Sequence, residues 1–165
     1  MARRYRPLLL PIFLALPLAA QNPGLFGTWT AAEVPDLTPV IEAATASMNF
    51  LTRPIARARL KKVALVFPTI RIERGADDIA ITYGDRAPQR MPADGRAVEW
   101  TREDGEKLHI SAHLEQDDLV QRYQAADGGR TNVFHFDGRN RTVTLTVTIT
   151  SPRLPGPVSY ALSYR

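Results

Sequence analysis

Groups able to do acid–base, nucleophilic or metal chemistry are few and scattered along the 165 residues. There is no cysteine, which removes thiol nucleophiles, cysteine metal sites and disulfides. His109 and His113 alternate with Leu108, Ile110, Ala112 and Leu114, so both point outward with Lys107, Ser111 and Glu115. Four residues along a strand span roughly 13 Å, too far for two imidazoles to share a metal at about 2 Å. His135 would be an axial ligand if the interior held haem, although a lone histidine is more often structural or exposed. Asp117 and Asp118 are adjacent in a turn and face different ways, which does not make a carboxylate pair for acid–base work. No Gly-x-Ser-x-Gly, phosphate-binding loop or His-Glu-x-x-His occurs. The sequence predicts no catalytic residue, no metal site and no cofactor.

What remains is recognition chemistry. Tyr83, Trp100, Gln121, Tyr123, Phe134, Tyr160 and Tyr164, with Ile72 and Ile81, fall on strand faces that read as inward. Ligand pockets are mostly apolar with a few placed polar groups; the alternative is a core packed solid. Gln121 shares its face with Leu119 and Tyr123, so it is either an inward polar group or a sign that the faces are reversed. A second constellation is basic. Arg53, Arg57 and Lys61 recur every four residues, within an arc of about 80° on a helix, and no acid occurs between Glu42 and Glu73. Such a face would dock on anionic lipid, each charge contributing about 1 kcal/mol. The alternative is a solvated helix C-terminus favoured by the dipole.

The elements that must position these groups are mostly strands. Arg3, Arg4 and Arg6 precede the apolar run Pro7–Leu18 and then Ala19-Ala20, the layout of a cleavable secretory signal cut near Ala20. That predicts a periplasmic or secreted protein with one domain over residues 21–165. Setting those three arginines aside leaves 18 basic against 17 acidic residues, too balanced for a nucleic-acid surface. Thr38 can cap a helix with Pro39 in its first turn, and Ile41, Ala44, Met48 and Leu51 make an apolar stripe. Pro54 breaks the run, so two helices are expected, at about 38–51 and 54–62, or else one sharply kinked helix. From Val66 the period changes to two. Ile70 and Ile72, then Ile79, Ile81 and Tyr83, then Val143, Leu145, Val147 and Ile149 alternate with polar neighbours. Asp-Gly pairs at 94, 104, 127 and 137 mark hairpin turns. With the first strand, and a weak one over 86–91, about ten strands are expected in up-and-down order.

The run Phe26-Gly27-Thr28-Trp29, followed by a helix–turn–helix and a strand meander ending in "YALSYR", resembles the calycin group. It is most similar to the fatty-acid-binding proteins, whose first strand carries F-x-G-T-W. Classical lipocalins place their helix after the barrel. The resemblance implies a mainly β, up-and-down meander barrel of about ten strands, with a two-helix lid after the first strand. It also implies carriage of a small apolar or amphipathic, lipid-like ligand. The family holds a ligand carboxylate with a terminal Arg-x-Tyr; here that place reads Leu162-Ser163-Tyr164, so the arginine is absent. Gly27 and Trp29 are expected to pack one end of the barrel, with Arg165 or Arg153 stacked as a cation over the indole. A non-enzymatic envelope protein with a solid β core is the alternative function.

Overall fold

A computed structural model describes residues 23–165; the signal-like segment lies outside the described residues. The chain opens with a single helical turn, Pro23–Leu25, and a short strand β1 (Gly27–Thr30), followed by helices α1 (Thr38–Thr45) and α2 (Arg53–Val63). Nine further strands follow: β2 (Thr69–Arg74), β3 (Asp78–Tyr83), β4 (Gln89–Pro92), β5 (Val98–Thr101), β6 (Lys107–Glu115), β7 (Asp118–Ala125), β8 (Gly128–Asp137), β9 (Thr142–Thr150) and β10 (Val158–Tyr164).

Every strand pairs antiparallel with its sequence neighbour except at one place. Strands β1 to β4 form one sheet and β5 to β10 another. The sheets meet at β1 and β10, where Thr30 and Arg165 exchange backbone hydrogen bonds of 2.9 and 2.8 Å and Ala32 N–H donates to Ser163 O. Between β4 and β5 there is no ladder; a lone bridge joins Asp94 to His113. The hydrogen-bonded cylinder expected from the sequence is therefore two facing sheets, joined along one edge and unpaired along the other. The reason lies in the chain around Asp94–Ala97. It pairs briefly with the base-side half of β6, while β5 takes the other half from Lys107 to Ile110, so β4 and β5 diverge.

The first helix stops earlier than its apolar stripe suggests. Asn49 Oδ1 accepts from Leu51 N–H, Thr52 N–H and the Thr52 hydroxyl, an alternative to helical bonding that asparagine favours. Leu51 thus leaves the stripe and stands 67% exposed. Pro54 lies in the first turn of α2, where its missing N–H is no loss. Thr38 is the first residue of α1 and not its cap: the N-cap position is Leu37, which offers no side-chain bond, and Asp36 Oδ1 accepts from Thr38 N–H at 2.9 Å just ahead of it. The weak strand at 86–91 is β4, shifted to begin beyond Pro88. In the hairpin at Asp127-Gly128, Ala126 and Asp127 turn while Gly128 already belongs to β8.

The core fills the space between the sheets in rows set by register, about 7 Å apart along a strand. Nearest the helices lie Ile110, Tyr123, Arg130, Ile149 and Val158 side by side. The next row is Ala112, Gln121, Asn132, Val147 and Tyr160, and below it Leu114, Leu119, Phe134, Leu145 and Leu162. At the base, Trp29 packs on Phe136 with ring centroids 5.6 Å apart and donates its indole N–H to Leu25 O at 2.9 Å. A side chain on Gly24 would collide with the Phe136 ring, whereas a Cβ on Gly27 would meet open space.

Candidate functional site

The polar groups of the interior are gathered at the helix-facing end. Alternation along β7 and β8 points Gln121, Tyr123, Arg130 and Asn132 between the sheets, in step with Leu119 and Phe134. From the opposite sheet, β3 contributes Tyr83 and β4 contributes Gln89 and Met91. Gln121 and Asn132 are wholly buried, and Gln89 nearly so.

These groups form a closed set of hydrogen bonds across the interior. The Tyr83 hydroxyl donates to Gln121 Oε1 at 2.5 Å and accepts from Asn132 Nδ2 at 2.9 Å. Asn132 Nδ2 also donates to Gln121 Oε1 at 2.9 Å. Gln121 Nε2 donates to Gln89 Oε1 at 2.9 Å and contacts Met91 Sδ at 3.7 Å; the Tyr123 hydroxyl donates to the same Gln89 oxygen at 2.6 Å. Arg130 Nε donates to Asn132 Oδ1 at 2.7 Å, and Arg130 Nη1 donates to Val63 O at the end of α2 at 2.8 Å. Asn132 therefore uses its carbonyl and both amide hydrogens, and the two sheets are tied to each other and to the lid.

Two features stand outside this closure. Among the described residues, no carboxylate lies within ion-pair distance of the half-buried Arg130 guanidinium. The buried Tyr160 hydroxyl, one residue row away, has no hydrogen-bond partner. Burial holds the Tyr83 phenol well above its ordinary pKa and raises those of Tyr123 and Tyr160; it pushes Tyr164 up to about 12. The positive charge of Arg130 opposes the rise at all four. All four stay neutral donors at physiological pH.

The structure brings together Tyr83, Gln121 and Tyr123 in one site, with Tyr160 beside them, and resolves the direction of Gln121 as inward. Trp100 sits at the rim, half-buried, edge-on to Tyr123 at 6.3 Å. Phe134 lies deeper, in the apolar row. Tyr164 closes the seam and donates to Phe67 O at 3.2 Å. Gln89, Arg130 and Asn132 were missed by sequence reasoning. The signal for two of them was present: Asn132 and Arg130 sit two and four residues before Phe134, on its face. Gln89 carried none, because its strand is short and follows a proline.

The basic residues of α2 are placed differently from expectation. Arg53 turns back to donate to Ala46 O and Met48 O at the end of α1. Arg57 donates to Thr45 Oγ1 and lies 3.5 Å from Glu42. Both brace the helix pair, and of the three only Lys61 is fully exposed. The outward feature of the lid is apolar: Phe50, Leu51 and Ile55 are 81%, 67% and 59% exposed. Arg165 meets Thr30 through its backbone and Arg153 pairs with Asp127; the cations over rings are Arg74 on Phe26 and Arg86 on Phe67, so neither expected arginine stacks on Trp29. His135 points outward to Asp118 at 2.7 Å, which removes it as an interior ligand. Two surface concavities of about 380 and 510 Å³ lie outside the sheets, one at the β7–β8 and β9–β10 turns and one beside Asp77 and Arg90.

The fold is shared with several solved structures. A secretory abundant heat soluble protein from Ramazzottius varieornatus superposes with a TM-score of 0.59 at 8% identity, covering 86% of this chain and 94% of that one. The REP1-NXSQ fatty acid transporter gives 0.54 at 13% identity over 86% and 94%. Zebrafish ileal bile acid-binding protein, complexed with cholic acid, gives 0.52 at 13% over 86% and 98%. At such low identity the likeness is one of fold. No protein-family model and no curated protein sequence matches the chain.

Proposed function

We propose that this chain binds one small amphipathic molecule between its sheets, with the ligand's polar group at Arg130. The observation that carries this is the interior cation without a carboxylate, one row from a buried tyrosine hydroxyl without a partner. Buried charges are normally paired and buried hydroxyls normally bonded. An anionic or hydroxylated head group would satisfy both, and its apolar tail would gain roughly 25 cal/mol per Å² of area removed from water. Binding would open the Tyr83–Gln121–Gln89 cross-brace and exchange its hydrogen bonds for ligand contacts. The fold comparisons support this, since a fatty acid transporter and a cholic acid complex share the architecture. No chemistry on the ligand and no cofactor is invoked. We place the protein in the cell envelope, on the strength of the basic, apolar and small-residue pattern before Gln21.

Delivery would be at an anionic membrane surface. Phe50, Leu51 and Ile55 would enter the interface and Lys61 and Lys62 would face the head groups, in place of Arg53 and Arg57, which are engaged within the lid. Sedimentation with phosphatidylglycerol and phosphatidylcholine vesicles tests this; equal binding to both, or no loss of binding in Phe50→Ser, rejects it.

A second reading, a solid-cored envelope module, is favoured by the cross-brace, which already occupies the middle of the interior. Native mass spectrometry of gently purified protein separates the two. A co-purifying lipid-sized mass, lost in Arg130→Met, supports carriage. A bare chain that also fails to take up anilinonaphthalene sulfonate supports the solid module.

A further inference from the structure

The unpaired edge between β4 and β5 is a slot with a floor and a strap. Its floor is the Asp94–His113 bridge. At the other end, the β3–β4 and β5–β6 turns are joined by Arg86 Nε and Glu103 Oε1 at 3.4 Å, between side chains 41% and 68% exposed. Between these ties no backbone hydrogen bond joins the two strands. Behind the slot stand Gln89 and Tyr123, themselves hydrogen-bonded, with Trp100 against Tyr123 at the rim.

The lid is held differently. Arg130 reaches from the interior to Val63 O, a charge-assisted bond of the stronger kind. Arg59 lies 3.4 Å from Asp127, and Tyr164 bonds to Phe67 O just beyond α2. Raising the lid breaks the part-buried Arg130–Val63 bond as well as the exposed Arg59–Asp127 pair, while parting β4 from β5 breaks one exposed ion pair of the weak kind together with the Gln89 bonds to Tyr123 and Gln121, which occupancy of the interior opens by either route. Resting on the proposal that the interior takes a ligand, we infer that the ligand passes through the β4–β5 slot and not beneath the helices. Arg86–Glu103 is the strap that opens, and Trp100 and Tyr123 are the first side chains the ligand meets.

The absence of cysteine makes the test direct. One double variant, Arg86→Cys with Glu103→Cys, is bridged across the slot by a cleavable bismaleimide; another, Arg59→Cys with Asp127→Cys, is bridged across the lid. Uptake of anilinonaphthalene sulfonate is followed by stopped flow. The slot bridge slows association by about tenfold or more, on the scale on which association rates vary among related complexes. The lid bridge leaves it unchanged, and cleavage restores the rate. Without any bridge, Glu103→Gln speeds association about two- to fivefold, the scale of an exposed pair, and weakens its salt dependence. Slowing by the lid bridge alone, by both bridges or by neither overturns the slot while leaving carriage intact. Failure of the unmodified chain to take up dye at equilibrium refutes carriage, and the slot with it.

Discussion

The two halves of the interior are built from the same strands and differ in chemistry. Toward the base, Leu119, Phe134, Leu145 and Leu162 close over Trp29 and Phe136, with apolar area as the main stabilising term. Toward the lid, the same strands present Gln121, Tyr123, Arg130, Asn132 and Tyr160, where hydrogen bonds must replace water one for one. The first half tolerates approximate packing, since a hydrophobic side chain of similar volume usually costs little. The second does not: a half-satisfied buried network is less favourable than no network. The base is therefore suited to holding the sheets together, and the lid half to a decision between two states, braced or occupied.

The largest expected effect is at the base. Phe134→Ala should cost about 3–5 kcal/mol, read as a fall in the urea midpoint; a change under about 1 kcal/mol would mean that the apolar row is not the main anchor. Next is Asn132→Leu, which leaves Arg130 Nε without its acceptor and removes the donor shared by Tyr83 and Gln121. It should cost about 2–3 kcal/mol. A neutral or stabilised variant would show that the brace adds little to stability and would point to its use in binding. Alkaline pH sharpens the contrast further. The tyrosines keep their neutral form in the fold above the ordinary value of 10.0, to about 12 for Tyr164. Their contribution is complete below pH 10, where both states are protonated, and is lost as pH rises through the folded value. Single-tryptophan variants should report Trp100, beside Tyr123, becoming open to acrylamide before Trp29 at the base; simultaneous exposure would deny the halves any independence. The smallest effect on stability is at Arg130→Met, which exchanges a cation lacking a carboxylate for apolar volume. It also removes the donor to the buried Asn132 Oδ1 and to Val63 O, so it should cost about 1–2 kcal/mol, yet abolish uptake of an anionic amphiphile. Unchanged dye affinity would remove Arg130 from the site.

The division between legible and hidden features follows from range. Strand periodicity, the two-helix interruption and the inward faces of Tyr83 and Tyr160 depend on neighbours two to four residues apart, so the sequence determined them; which faces of β7 and β8 turn inward stayed open until the structure placed Gln121, Tyr123 and Phe134 between the sheets. Thr38 and Leu51 were misjudged because local side-chain bonds from Asp36 and Asn49 competed with simple propensity. Only the tertiary structure decided that Arg53 and Arg57 turn in to brace the lid, that Gln89 completes a network with residues more than thirty positions away, and that β4 and β5 part. Those outcomes depend on which surfaces meet, and a backbone polar group or a guanidinium takes whichever partner folding places within about 3 Å.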